Sequence, residues 1–238
     1  MSQEHIASAY DRDLEAVQAM IMKMGGLVEA AILRAAESLE KRDEEEAEAV
    51  RRADAAIDAL EQQVNEDSAR LIALRQPAAG DLRTILTVMK IASNLERIGD
   101  YAKNMGKRTS VLVQMQPVEG SAGSIRRMAK QVELMLKDAL DAYIQRDPEL
   151  AEDVRQRDMD VDQMYNALFR NFLTFMMEDP RNITACMHLH FIAKNIERMG
   201  DHVTNIAEQV IYLVEGEMPA DDRPKRDRTA FETVGPEA

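Results

Sequence analysis

Eight carboxylates in this chain form two sets of one design. Asp54 and Asp58 are four residues apart, as are Glu96 and Asp100, and the spacing returns in Asp158 with Asp162 and in Glu197 with Asp201. On a helix, residues four apart share a face, about 40° apart round the axis and one turn along it. If the helices carrying the two pairs of a set lie side by side, four carboxylates converge. Such a group raises its members' pKa values until some take up protons, unless a counter-charge sits among them. A multivalent cation, or several bridged by hydroxide or water, supplies that charge. Oxygen ligands suit Mg²⁺, Mn²⁺ or Fe³⁺, and carboxylates also hold Zn²⁺. Asn104 and Asn205 extend the spacing by four more residues and offer carbonyl oxygens or a hold on bound water.

A lone acid-x-x-x-acid pair means little, because 43 acids in 238 residues give about eight such pairs by chance. Here the surroundings repeat as well. Asn94-Leu95-Glu96-Arg97-Ile98-Gly99-Asp100 returns 101 residues later as Asn195-Ile196-Glu197-Arg198-Met199-Gly200-Asp201. Upstream, Val28-Glu29, Arg42-Asp43, Val50, Asp54 and Asp58 match Val132-Glu133, Arg146-Asp147, Val154, Asp158 and Asp162 at an offset of 104. A period near a hundred residues is too long for a solenoid and fits two duplicated domains. Gly99 and Gly200 stand in mid-helix, where glycine costs about 1 kcal/mol and calls for a packing or access reason.

The elements that position these residues are long helices. Val50, Ile57, Leu60 and Val64 make one apolar stripe, and Val154, Val161, Met164 and Leu168 its copy. Asp147 before Pro148 is a strong helix start, and Asp43 before three glutamates should cap likewise. The breakers divide the chain into helices near 4–41, 44–75, 79–114, 124–146, 148–178 and 182–215. The fold class expected is all-α, two tandem three-helix bundles over 1–116 and 117–216, each with its own core, followed by a disordered tail over 217–238. Gly25-Gly26 bends the first helix or lets a neighbour approach. Consecutive helices on a short link pack antiparallel, which brings the pairs of each set together. With Leu95 at zero and 100° per residue, Glu96 lies at about 100° and Asp100 at about 140°. The acids therefore sit on the shoulder of the apolar stripe, at the bundle edge.

Composition narrows the function. A net charge of −13 argues against nucleic acid or an anionic membrane as the main partner. The single cysteine, Cys186, excludes an intramolecular disulfide and reads as a buried structural thiol. No secretory signal opens the chain, no run of about 18 uninterrupted apolar residues occurs, and a cytoplasmic protein is expected. His188 and His190 are two apart and diverge on a helix, and His202 is not duplicated. A di-iron carboxylate oxidase needs Glu-x-x-His pairs, which are missing. Three functions compete: a non-enzymatic regulatory adaptor, a metal-dependent phosphohydrolase, and a metal-free helical scaffold whose acids merely pair with arginines. No His or Lys near the acids is duplicated, since Lys103 answers to Thr204, which disfavours the enzyme.

The duplicated Glu-Arg-x-Gly-Asp phrase, the upstream Asp-x-x-x-Asp, Met24-Gly25-Gly26-Leu27 and Pro77-Ala78-x-x-Asp81-Leu82-Arg83 resemble the PhoU family of phosphate-uptake regulators. The resemblance spans residues 1–216. It implies two tandem three-helix bundles related by a pseudo-twofold axis, with multinuclear iron or zinc clusters on the acid motifs. Asp54, Asp58, Glu96 and Asp100 would hold one cluster, and Asp158, Asp162, Glu197 and Asp201 the other. It also implies partners: a membrane sensor histidine kinase and the ATPase of the high-affinity phosphate ABC transporter, with a homodimer expected. The role implied is to keep the phosphate-starvation response off and restrain uptake. The second half departs from the pattern, with Asn182-Ile183-Thr184 where the first has Asp81-Leu82-Arg83, so any role of Arg83 is not duplicated.

Overall fold

A computed structural model describes residues 2–219, with side chains from residue 12 onward. The sequence reading's tail, from residue 220 on, lies outside the described residues. Six helices account for nearly all of the rest: α1 (Ser2–Lys41), α2 (Glu44–Arg75), α3 (Gly80–Leu112), α4 (Ser121–Gln145), α5 (Pro148–Glu178) and α6 (Ile183–Glu215). No strand occurs among the described residues. Every helix lies within about three residues of its sequence-based range.

The duplicated Arg-Asp phrase is a helix corner. Arg42 and Arg146 adopt the left-handed conformation, at φ 56° and 53°. The next amide then reaches back five residues, Asp43 N to Ser38 O at 2.9 Å and Asp147 N to Ala142 O at 3.0 Å, which closes the helix in a Schellman turn. Each aspartate starts the following helix. Asp43 accepts from Glu46 N at 3.0 Å, and Asp147 accepts from Glu149 N and Leu150 N at 2.9 and 3.0 Å. Arg42 also donates through Nη2 to the carbonyls of Leu112, Val113 and Met115, at 3.1, 2.8 and 2.6 Å. These are carbonyls freed at the end of α3, so one guanidinium ties the α1–α2 corner to that end.

Helices α1 to α3 form one bundle and α4 to α6 the other, and the bundles meet where α1 packs on α4 and α3 on α6. Helices α2 and α5 lie outside this inner set of four. The expectation of a separate core for each half gives way to one continuous buried cluster that runs from Val17 to Leu213 through both bundles. Gly25 serves close approach: a Cβ there would stand 2.4 Å from Leu140 Cδ1 of α4, and α1 runs through it unbroken. The stretch Arg12–Lys41 of α1 is long and apolar enough, by length and composition alone, to cross a membrane. Its Val17, Ile21, Met24, Val28, Ile32 and Leu39 are buried inside the bundles, so packing accounts for its hydropathy. Cys186 is fully buried, and burial pushes its thiol up from the usual range.

Candidate metal centre

The antiparallel packing of α2 on α3 brings the first acid set together. Lys103 Nζ of α3 donates to Asp54 Oδ2 of α2 at 2.5 Å and stands 3.5 Å from Asp100 Oδ1. Asp54 is 3% exposed, and its other oxygen, Oδ1, is buried without a hydrogen-bond partner. Asp58 is exposed in total surface, yet its carboxyl is held above the usual range, first by partial burial and then by the charge of Asp54. Glu96 is raised likewise, first by burial and then by Asp100. Glu61 adds to the repulsion on both. Lys103 is raised by its hydrogen bond to Asp54. Five acids and one ammonium thus share a short stretch of the α2–α3 edge; Glu61 did not stand out in the sequence, and Lys103 entered there only as an unduplicated neighbour of the acids.

Glycine makes room for the first aspartate of each set. A Cβ at Gly99 would lie 3.4 Å from Asp54 Oδ1 and 3.0 Å from Ile57 Cδ1, and a Cβ at Gly200 would lie 3.1 Å from Asp158 Oδ1. The aspartate of the outer helix lies against bare backbone of the next, which is the access reason the mid-helix glycines called for.

The second set is more deeply placed. Asp158 and Asp162 are 5% exposed and Glu197 7%, while Asp201 is half-buried. The shoulder reading fits Glu96 and Asp100 on α3; Asp54, Asp158, Asp162 and Glu197 lie deeper than it foresaw. Lys194 Nζ donates to Glu197 Oε1 at 2.9 Å. The residue equivalent to Lys194 in the first half is Ser93, and that equivalent to Lys103 is Thr204. Each half therefore brings its own lysine to its acids, at unrelated positions.

Two sequence candidates stand apart from these sets. Asn104 is exposed, and Asn205 turns across the bundle boundary to donate to Asn94 Oδ1 at 3.4 Å. His202 Nδ1 meets the same oxygen at 2.8 Å. Among the described residues no group of three or more His, Cys, Asp or Glu side chains is gathered closely enough to hold a metal ion. The residues fit a cation by their chemistry, through a buried carboxylate oxygen without a partner and acids that burial and repulsion push toward protonation. The position between Asp54 and Asp100 is taken by the Lys103 ammonium.

Comparison with known proteins adds the family. The PhoU domain model matches residues 21–109 and again 125–210. The chain is 45% identical over 224 residues to the phosphate-specific transport system accessory protein PhoU homolog of Caulobacter vibrioides (strain NA1000 / CB15N), covering 94% of this chain and 97% of that one. It is 44% identical over 230 residues to the protein of the same name from Rhizobium meliloti (strain 1021), covering 97% of each. The crystal structure of PhoU from Pseudomonas aeruginosa superposes with a TM-score of 0.84 at 39% identity, covering 87% of this chain and all of that one. The phosphate transport system regulatory protein PhoU from Streptococcus pneumoniae gives 0.81 at 29% identity, covering 89% of this chain and 99% of that one. Two copies of one domain, the paired acid motifs and near full-length identity to these relatives place this chain in the PhoU family.

Proposed function

We propose that this chain is a regulatory adaptor of phosphate uptake that holds the phosphate-starvation response off when phosphate is plentiful. The observation that carries the reading is its match, over nearly its whole length, to relatives named as accessory proteins of the phosphate-specific transport system. The chain acts by contact in the cytoplasm, with a membrane sensor histidine kinase and the ATPase of the phosphate ABC transporter as partners. A homodimer is the proposed assembly. Multivalent cations bind the two acid sets, Asp54, Asp58, Glu96 and Asp100 in one and Asp158, Asp162, Glu197 and Asp201 in the other. Iron or zinc is the first expectation, and magnesium or manganese the second. A bound cation supplies neutralising charge here and nothing catalytic, and it lets the acids stay ionised at the bundle edge. A metal-free scaffold is the second reading, favoured by Lys103 and Lys194 acting as internal counter-ions.

Deleting the gene should switch on phosphate-starvation genes in phosphate-rich medium, through the sensor kinase. Repression that survives deletion ends the regulatory reading. Element analysis of protein purified without chelator tests the cation: Glu96→Ala with Asp100→Ala should remove about half of the bound metal, and adding Glu197→Ala and Asp201→Ala nearly all. Equal metal in wild type and the quadruple variant selects the scaffold.

A further inference from the structure

The seam where α3 lies against α6 carries a positive, partly apolar outer face on a chain of net charge −13. With Leu95 at zero, Leu86, Lys90, Arg97, Arg108 and Val111 fall at about 160–220° round α3, away from the acids at about 100–140°. With Ile196 at zero, Met187, Phe191 and Arg198 occupy about 180–220° of α6. Contacts across the seam place these side chains on one surface. The Arg108 guanidinium lies 4.3 Å from the centre of the Phe191 ring and 3.4 Å from His188 Nδ1. At the other end Lys90 Nζ and the Arg83 guanidinium each lie 6.0 Å from the centre of the Tyr212 ring. Between them the His202 ring of α6 stands 5.7 Å from the Tyr101 ring of α3, and its Nδ1 lies 2.8 Å from Asn94 Oδ1. The row of cations therefore runs the length of the seam, from Arg83 to Arg108, which is about 38 Å of helix.

Two properties of this face ask for a ligand. Among the described residues Arg83, Lys90, Arg108 and Arg198 have no carboxylate within ion-pair distance, and Arg97 has only long contacts, 3.6 Å to Glu96 and 4.0 Å to Asp100. Leu86 is exposed between Arg83 and Lys90 at one end, and Val111, Met187 and Phe191 are exposed at the Arg108 end. Unpaired cations on an acidic protein attract an acidic partner, and exposed large apolar side chains in one place mark a protein contact. A small anion or a nucleic acid backbone would leave those apolar side chains in water. A second copy meeting the face with its own would set like charge on like charge.

We propose that the α3–α6 seam docks an acidic, amphipathic helix of a partner protein. The partner's Leu-, Ile- or Phe-type side chains pack on Met187 and Phe191, and its carboxylates meet Lys90, Arg97, Arg108 and Arg198. The proposal deepens the adaptor reading and rests on it for the partner's identity.

The test uses the full chain and two seam variants, Lys90→Glu with Arg108→Glu, and Met187→Ser with Phe191→Ser, none of them among the proposed cation ligands. Arg70→Glu on exposed α2 is the control, and circular dichroism checks that each variant is folded. Three probes are titrated: the purified transporter ATPase, the cytoplasmic portion of the sensor kinase, and a synthetic 25-residue helix of Glu on one face and Leu on the other. At least one natural partner and the synthetic helix should bind wild type. Both seam variants should bind at least tenfold more weakly, the control within twofold of wild type, and added salt should weaken the wild-type complex. If a natural partner binds wild type and the seam variants equally, the seam proposal is overturned while the adaptor reading stands. If neither natural partner binds wild type, the adaptor reading fails on contact, and the synthetic helix decides the seam: loss of its binding in both variants supports it, and no binding or equal binding overturns it. A wild-type dimer in sedimentation that the seam variants lose makes a second copy the occupant and also overturns it.

Discussion

Lys103 occupies the position a cation would take, its ammonium between Asp54 and Asp100. Lys103→Met should therefore lower the stability of metal-free protein by about 1–2 kcal/mol, after allowance for the half-exposed lysine. It should also tighten cation binding at the first set and leave the second set, which has Thr204 there, unchanged. Calorimetric titration of Mn²⁺ or Zn²⁺ checks this; unchanged first-set affinity shows that lysine and cation do not compete. The pH dependence of the metal-free protein follows from Asp58 and Glu96, both raised by burial and by neighbouring acids. A carboxyl raised in the folded state binds its proton there first, so as pH falls through the raised range the folded chain gains stability from these two groups and loses it again as pH rises. Asp58→Asn with Glu96→Gln should then raise the thermal midpoint in chelator at pH 7. Saturating cation should reverse the order, since a ligand at a hundred times its Kd adds about 2.7 kcal/mol, roughly 5–10 °C for a domain of this size. A double variant that melts below wild type in chelator contradicts the sign.

Neighbouring glycines separate close packing from helix propensity. A Cβ at Gly106 of α3 would lie 2.7 Å from the backbone carbonyl oxygen of Ala47 on α2, whereas nothing lies within 4 Å of one at Gly26. Gly106→Ala should push α2 away and cost about 1–3 kcal/mol, against the propensity gain of alanine. Gly26→Ala should gain up to about 1 kcal/mol. Thermal unfolding reads both, at about 2–4 °C per kcal/mol. Predictions of opposite sign for two glycines of one protein leave little room for a general glycine effect. Because α2 carries Asp54 and Asp58, Gly106→Ala should also weaken any cation held at the first set, while Gly26→Ala should not.

The two bundles share one buried cluster across the α1–α4 and α3–α6 contacts. A fragment of residues 1–116 would expose the inner faces of α1 and α3, where Gly25 meets Leu140 and Asn94 meets His202 and Asn205. It should be helical by circular dichroism but bind a hydrophobic dye and unfold at lower denaturant and with less cooperativity than the whole chain. Mixing it with a fragment of residues 117–219 should restore the transition. A sharp, dye-free transition for the first fragment alone shows that the inter-bundle contacts add little to stability.

Local sequence determined the helices, their corners and the pairing of the acids. Arg42-Asp43 and Arg146-Asp147 fix where one helix ends and the next begins through bonds within a few residues, and the duplication reported which acids belong together. A repeat records what both halves share, so it was silent on what they do not. Lys103 and Lys194 sit at unrelated positions, and only the packing of α2 on α3 brings Lys103 to Asp54. The depth of Asp158 and Asp162 was decided by how α5 packs on α4 and α6, and the turn of Asn205 toward Asn94 and the merging of two cores into one by how the bundles meet. The periodicity of a helix says which residues share a face, and the neighbouring helix decides whether that face is covered, because burial and ion pairing depend on side chains far away in sequence.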